Sequence, residues 1–314
     1  MSADLPGPVV AVVGPTAAGK SALSLRLANA LDGEVVNADS MQLYRGMDIG
    51  TAKLRPDERA GVAHHVLDIW DVTEPASVAT YQALARAAID TIRARGQVPL
   101  LVGGSGLYVR AVLDDFAFPG TDPSLRAALE AELDASGPAP LYEKLRAADP
   151  AAAERILPSN GRRIVRALEV VRLTGRPFAA ELPPPRPAYQ AVQVGVDLDP
   201  AALDARIAAR VDQMWASGLV DEERALESRG LREGRTASRA LGYQQVLRFL
   251  AGECTEAEAH DETVRATRRF VRRQRSWFRR DPRVRWLDAT SAGRAPERLL
   301  AGALTAVRSG VVVP

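Results

Sequence analysis

Eight consecutive residues near the start of the chain, Gly14-Pro15-Thr16-Ala17-Ala18-Gly19-Lys20-Ser21, fit G-x-x-x-x-G-K-[ST] at every fixed position. The chemistry of this pattern is the capture of a phosphate chain. Glycines let backbone N–H groups close around phosphate oxygens, and the helix that follows adds the positive end of its dipole. Lys20 brings a mobile positive charge, and the Ser21 hydroxyl is of the type that ligates Mg2+. The loop alone does not distinguish ATP or GTP from any other diphosphate.

A second group of reactive types is Asp39-Ser40-Met41-Gln42. A carboxylate at the end of the second strand would face the phosphate loop and could accept a proton from an incoming nucleophile. Read alone, Asp39 or Ser40 could equally cap a turn. The Gln42 amide could pair with an adenine edge. Gly103-Gly104-Ser105-Gly106 offers either a close approach to substrate or a plain tight turn. His64 and His65 lack the further ligands a metal site needs, and a structural role suits them better.

The third group is basic. Residues 265–285 hold ten arginines and one acid, Asp281. Arg265, Arg268, Arg269, Arg272, Arg275 and Arg279 recur at helical spacing, with Phe270, Trp277 and Phe278 interleaved. Such a stripe suits a nucleic-acid backbone better than a solvated face paired with acids, because the run has almost no acids of its own. Arg162, Arg163 and Arg166 form a smaller cluster.

Elements must hold these groups. Val9–Val13 is an uninterrupted apolar run, as in a strand buried on both faces. A helix through about Leu31 follows the phosphate loop, then a strand at Glu34–Ala38. Ser77 caps a helix running to Arg95, with Gly96 as its stop, and Val98–Val102 is another strand. This alternation predicts an α/β fold with a parallel sheet and ligand loops at the strand C-termini. From Asp122 to about Thr174 the spacing is helical, and Pro183–Pro187 can be neither helix nor central strand. Ala191–Val196 alternates like a returning strand. Residues 120–188 therefore form a helical insertion, between 1–119 and 189–314 of the core, and about 200–285 is again helical. The last stretch, from Ser291 to Pro314, carries no functional signal.

Composition narrows the classes. The 314 residues are 46% apolar and 25% charged, as in an ordinary globular protein. No apolar run is long enough to span a membrane, and Met1–Pro8 has no basic leader region. Cys254 is the only cysteine, which excludes internal disulfides and multi-cysteine zinc sites; the sequence assigns it no role, and an isolated cysteine usually packs or sits at the surface. These features predict a cytoplasmic, monomeric protein. The net charge of +2 is unevenly spread, −6 over residues 1–160 and +8 over the rest, which points to a polyanionic partner for the second half. Only Lys20, Lys53 and Lys144 are lysines.

Taken together, the motifs resemble those of the tRNA dimethylallyltransferase (tRNA isopentenyltransferase) family, in its bacterial form. The matching residues are Gly14–Ser21, Asp39-Ser40-Met41-Gln42 continuing to Lys53, and His64-His65-Val66-Leu67-Asp68. They continue with Gly103–Tyr108, Arg162–Glu169, Ala240-Leu241-Gly242-Tyr243, Thr267–Phe270 and Gln274–Arg280. The matches are collinear over roughly residues 9–280. The resemblance implies a P-loop NTPase-like core and a prenyl transfer. The phosphate loop, Gly14 to Ser21, would hold dimethylallyl diphosphate, with Mg2+ on Ser21. The acceptor would be N6 of adenosine 37, beside the tRNA anticodon. Asp39 would be the general base, with Lys20 and Arg239 on the diphosphate. Asp39, Ser40, Met41, Gln42, Ser105, Arg126, Arg162, Arg163 and Arg166 would contact the anticodon stem-loop. Ser105 departs mildly from the family's commoner threonine. The zinc finger of eukaryotic members is absent.

Three rivals remain on sequence. An adenylate isopentenyltransferase would alkylate free AMP, ADP or ATP and would need neither a long basic surface nor a helical insertion. A P-loop metabolite kinase would transfer a phosphoryl group. An RNA-binding protein with a dead loop would not need Lys20, Ser21 and Asp39 intact.

Overall fold

The computed structural model describes residues 7–115, 117–179, 183–290 and 296–310. Part of the segment read for a leader, residues 1–6, lies outside them, as do 291–295 and 311–314 of the C-terminal stretch. The chain forms two compact units: Met1–Asp114 with Pro187–Pro314, and Asp115–Arg186.

In the first unit the order is β1 (Val9–Val13), α1 (Lys20–Leu31), β2 (Gly33–Asn37), β3 (His64–His65), α2 (Val78–Ala94), β4 (Val98–Gly103) and α3 (Gly106–Leu113). The second unit supplies α4 (Pro123–Ser136), α5 (Pro138–Ala148), α6 (Pro150–Arg155) and α7 (Gly161–Thr174). The chain returns to the first unit with β5 (Ala191–Asp197), α8 (Pro200–Ala216), α9 (Leu219–Glu227), α10 (Tyr243–Leu250), α11 (Glu256–Arg279), β6 (Val284–Asp288) and α12 (Pro296–Arg308).

The six strands form one parallel sheet in the order β3-β2-β4-β1-β5-β6. All five residues of β1 are buried. Their alternation divides them between two cores: Val9, Ala11 and Val13 face one, and Val10 and Val12 face the other. This is why the β1 run is continuously apolar rather than alternating. Ser77 caps α2 by accepting from the Thr80 N–H at 3.2 Å. Tyr81, Ala85, Ile89 and Ile92 then bury one face of that helix.

Register brings the ligand loops to one edge. Val12 pairs with Val102 of β4 and with Val194 of β5, and Asn37 of β2 also pairs with Val102. The loops after β1, β2 and β4 therefore leave side by side, where ligands bind in open parallel sheets. The residues expected as wholly helical to about 285 give way to strand at Val284. β6 is a short edge strand whose alternating polar residues carry no continuous apolar signal.

The second unit has its own core, with Leu129, Leu141, Leu145, Ile164 and Leu168 fully or nearly fully buried. Asp122, Asp149 and Asn160 cap α4, α6 and α7. No helix among the described residues is long and apolar enough to cross a membrane.

Candidate active site

The phosphate loop joins the end of β1 to the first turn of α1. Gly19 has φ +99°, which a side chain would strain, and it leads directly into Lys20. Lys20 folds back so that Nζ donates to Pro15 O at 2.8 Å. Burial lowers its pKa to about 8, with the nearby Asp39 charge raising it and Arg210 lowering it further. Among the described residues this cation forms no salt bridge. Ser21 is exposed, and its carbonyl accepts from Ser24 Oγ at 2.8 Å.

Asp39 follows β2, and its position is fixed from both sides. Its N–H donates to Asn37 Oδ1 at 2.9 Å, and its Oδ1 accepts from the Met41 N–H at 3.0 Å. Asn37 Nδ2 in turn donates to the Asp39 and Val66 carbonyls. Asp39 thus makes a local turn with Oδ1, and among the described residues Oδ2 makes no hydrogen bond. The rings of Tyr81 and Tyr108 meet at a tilt, with centroids 4.7 Å apart. Burial pushes both phenols up, and the Asp39 charge adds to the effect.

The remaining residues of that segment brace neighbouring loops. The Ser40 N–H donates to Ser105 Oγ at 3.1 Å, and the two hydroxyls lie 3.2 Å apart. Gln42 Nε2 donates to Thr51 O at 3.2 Å, so its amide is engaged with backbone. Met41 is half-buried against the core.

The second glycine loop makes its close approach to protein. A Cβ on Gly104 would lie 2.3 Å from Gln274 Nε2. Gln274, buried on α11, donates to Gly104 O at 2.9 Å and accepts from the Thr16 N–H at 2.9 Å. It ties the phosphate loop, the glycine loop and the basic helix at one point. Sequence reasoning passed over Gln274. Its only signal was a lone amide among arginines in the Gln274–Arg280 motif.

The arginine stripe of α11 is more heavily paired than its own sequence suggested. Arg265 and Arg269 bind Glu262 of the same helix, and Arg268 lies 3.8 Å from Asp204 of α8. Arg275 and Arg279 both reach Asp197 at the end of β5, at 3.0 and 2.7 Å. The expected scarcity of acidic partners is thus corrected: Glu262 lies just before the run on the same helix, and the fold brings Asp204 and Asp197 from other elements. Beside this helix a polar groove of about 330 Å³ is lined by Arg248, Arg269, Arg273 and Glu262, among others. Trp277 stays partly exposed while Phe278 is buried. Arg239 ends a short 3-10 turn, Ala237–Arg239, and is exposed.

In the helical unit, Arg126 of α4 and Arg166 of α7 converge on the fully buried Glu169. Arg166 also donates to the carbonyls of Pro119 and Gly120. The two arginines pull the Glu169 carboxyl below its ordinary value against the effect of burial. Arg162 and Arg163 lie exposed on the first turn of α7, and Arg163 packs over the Phe178 ring.

The histidines have hydrogen-bonding roles. His64 Nδ1 lies 2.9 Å from Val62 O, and His65 Nε2 lies 2.5 Å from Glu34, which also binds Arg95. Among the described residues no cluster of His, Cys, Asp and Glu could hold a metal ion. Cys254 is a free, half-buried thiol.

Comparison with known proteins follows the same lines. Residues 42–281 match the model of the IPP transferase family. The chain is 75% identical over 303 residues to the tRNA dimethylallyltransferase of Salinispora arenicola, covering 96% of this chain and 87% of that one. It is 68% identical to the enzyme of that name from Streptomyces avermitilis, covering 93% and 94% of the two chains. The crystal structure of the tRNA isopentenylpyrophosphate transferase of Bacillus halodurans matches with TM-score 0.71 at 41% identity, over 96% and 97% of the chains. A eukaryotic dimethylallyltransferase described as acting on tRNA matches with TM-score 0.81 at 25% identity, over 98% and 81%. The phosphate loop, the braced aspartate and the basic helix thus stand on the scaffold of these enzymes, and the chain belongs to the IPP transferase family of tRNA dimethylallyltransferases.

Proposed function

We propose that the protein transfers the dimethylallyl group of dimethylallyl diphosphate to N6 of adenosine 37 in tRNA, releasing diphosphate. The observation that carries this reading is Asp39, held by its backbone neighbours through Oδ1 and near enough to Lys20 of the phosphate loop for its charge to raise the lysine's pKa. A kinase needs a phosphoryl acceptor there. An exocyclic amine needs a base, because it must lose a proton as it bonds carbon.

In the reaction a bond forms between N6 and C1 of the dimethylallyl group while the bond from C1 to the diphosphate oxygen breaks. Asp39 Oδ2 takes the proton from N6. Lys20 leaves Pro15 O to meet the charge growing on the departing oxygens, together with the loop amides. The Thr16 N–H is held by Gln274, so Thr16 offers the ligand its hydroxyl. Arg239, exposed and close in sequence to the Ala240–Tyr243 motif, joins the diphosphate when the ligand binds.

The donor set fits Mg2+ bound mainly through substrate. Ser21 Oγ would hold the ion together with diphosphate oxygens and water, a hard oxygen donor set of the kind Mg2+ takes. When bound, the ion supplies neutralisation of the diphosphate charge.

On the RNA side, Ser40, Gln42 and Ser105 form a braced rim to the Asp39 pocket, and the target base leaves its stack to enter. Arg162, Arg163, Arg126 and Arg166 of the helical unit contact the anticodon stem-loop in this reading. The exposed Arg162 and Arg163 provide charge, and the Glu169-bound pair holds the helices that present it. The enzyme works as a monomer in the cytoplasm, where its RNA substrate is found.

The test is transfer of labelled dimethylallyl groups to an anticodon stem-loop with adenosines at 36–38, with AMP and ATP as competing acceptors. Label in RNA that vanishes when base 37 becomes guanosine supports the reading. Label only in AMP or ATP replaces it with a free-nucleotide prenyltransferase. Asp39→Ala should lower turnover by about 10²–10⁴-fold with RNA binding kept. Retained turnover would sink the base assignment.

A further inference from the structure

Residues 45–54 form neither helix nor strand, so no ladder supplies partners for their backbone N–H groups. One acid far along the chain meets three of them. Glu222 of α9 accepts at Oε2 from the Asp48 and Ile49 N–H groups, at 3.1 and 2.7 Å. At Oε1 it accepts from the Gly50 N–H at 3.3 Å and from the Tyr243 hydroxyl at 2.6 Å. Tyr243 is fully buried at the start of α10. A Cβ on Gly50 would lie 2.5 Å from the Tyr243 ring, so this close approach needs a glycine.

The same turn holds Gln42. Gln42 Nε2 donates to Thr51 O at 3.2 Å and to Ala52 O at 3.5 Å, and the Gln42 carbonyl accepts from the Asp68 N–H at 3.3 Å. Buried Lys53 closes the frame by donating to Asp48, Asp68 and the Tyr44 carbonyl. Glu222 therefore grips residues 48–50 by their amides, and Gln42 grips 51 and 52 by their carbonyls. The position of the turn sets the orientation of the Gln42 amide. We propose that Glu222, backed by the Tyr243 hydroxyl, is a positioning residue that fixes the 48–52 turn and, through it, the Gln42 side chain at the rim of the Asp39 pocket.

The role rests on the tRNA reading of that pocket, in which Gln42 belongs to the rim that meets the RNA. A carboxylate suits it for a physical reason. Its two oxygens offer about four lone-pair sites, enough for all four donors, and bonds to a charged acceptor are the stronger kind. A glutamine offers one acceptor oxygen, and its NH2 would face donors, so backbone N–H groups would lose their partner. Glu222 lies outside every motif read from the sequence. Tyr243, which ends the Ala240–Tyr243 motif, gains a task in completing the hydrogen bonds of this carboxylate.

The test is a double-mutant cycle between Glu222 and Gln42 on the full chain, read as dimethylallyl transfer to the anticodon stem-loop. Glu222→Gln should lower kcat/KM for the stem-loop by about tenfold or more, with affinity for inorganic diphosphate unchanged within about twofold. In the Gln42→Ala background the same substitution should cost less than about threefold, because Glu222 acts through Gln42. Hydrogen exchange, read without any substrate, should quicken at the Asp48, Ile49 and Gly50 amides in Glu222→Gln. Tyr243→Phe removes one donor and leaves three, so its loss should be smaller. An equal loss with and without Gln42 makes Glu222 a general brace and overturns the proposal. So does a Gln42→Ala protein as active as the parent, or unchanged exchange at the three amides. Should Glu222→Gln melt well below the parent, Tyr243→Phe carries the same cycle, and an equal loss in both backgrounds again overturns the proposal. A parent that transfers nothing to the stem-loop sinks the tRNA reading itself, and this role with it.

Discussion

Lys20 shows how one side chain can be legible by type and still need the fold for its chemistry. The motif names the lysine. Only burial and the facing Asp39 and Arg210 bring its pKa to about 8. In the free protein it is therefore a partly titrating cation near neutral pH. Neutral lysine cannot hold an anion, so affinity for inorganic diphosphate should fall as pH rises through about 8. Diphosphate itself becomes more negative over this range, which works the other way. The measurement is the ratio of parent to Lys20→Ala affinity from pH 6.5 to 9.5, and this ratio should shrink with rising pH. Asp39 differs in kind. Its neighbours Asn37 and Met41 are adjacent in sequence, so its braced geometry is local and nearly written in Asn37-Ala38-Asp39-Ser40-Met41. Gln274 is the opposite case, since its partners Thr16 and Gly104 are 258 and 170 residues away.

At the scale of elements, charge runs mislead when read one helix at a time. Part of the α11 stripe pairs with Glu262 of the same helix, but Arg268, Arg275 and Arg279 take their partners, Asp204 and Asp197, from α8 and β5. Surface ion pairs are worth at most about 1 kcal/mol each and are screened by salt. The arginines on the partly exposed Glu262 and Asp204 can therefore exchange carboxylate for phosphate at little cost, whereas Arg275 and Arg279 are held on the buried Asp197. Glu169 in the helical unit is different. It is fully buried and holds Arg126 and Arg166 together. Removing one partner of a buried ion pair costs about 3–5 kcal/mol. Glu169→Ala should therefore destabilise the helical unit by about that amount and increase amide exchange in α4 and α7. Dimethylallyl transfer to the stem-loop should fall while inorganic diphosphate binding holds. Unchanged exchange in both helices would show that Glu169 does not hold them.

For the molecule as a whole, one buried acid sets a pH dependence of stability. Glu223 on α9 is fully buried with neither carboxyl oxygen hydrogen-bonded among the described residues. Burial, then the charges of Glu227 and Glu222, push its pKa from 4.5 to about 9. In the unfolded chain the group ionises near 4.5, but in the folded chain it stays protonated to about 9. Its contribution is fully present below pH 4.5 and is lost as pH rises toward about 9, because the unfolded state has shed the proton first. The loss is at most about 1.4 kcal/mol per pH unit. Urea unfolding at pH 6 and pH 8 should show the parent losing stability relative to Glu223→Gln. A constant difference between the two proteins would mean that Glu223 ionises normally.

The sequence by itself determined what depends on neighbours in the chain. β1 and the phosphate loop, the Ser77 cap of α2, the helical character of residues 123–174 and the returning strand at Ala191 follow from periodicity, capping and turn chemistry. The family was legible because its motifs are short, fixed in spacing and collinear. The tertiary structure decided what depends on distant partners. It showed that Gly104 is needed to seat Gln274, that Gln42 spends its amide on Thr51, and that Arg126 and Arg166 share one buried carboxylate. It revealed β6, an edge strand with too little apolar pattern to announce itself. It also brought Glu222 of α9 onto backbone amides 172 to 174 residues earlier. The physical reason is the same throughout: backbone preference acts over a few residues, whereas charge pairing and burial act between surfaces that only folding brings together.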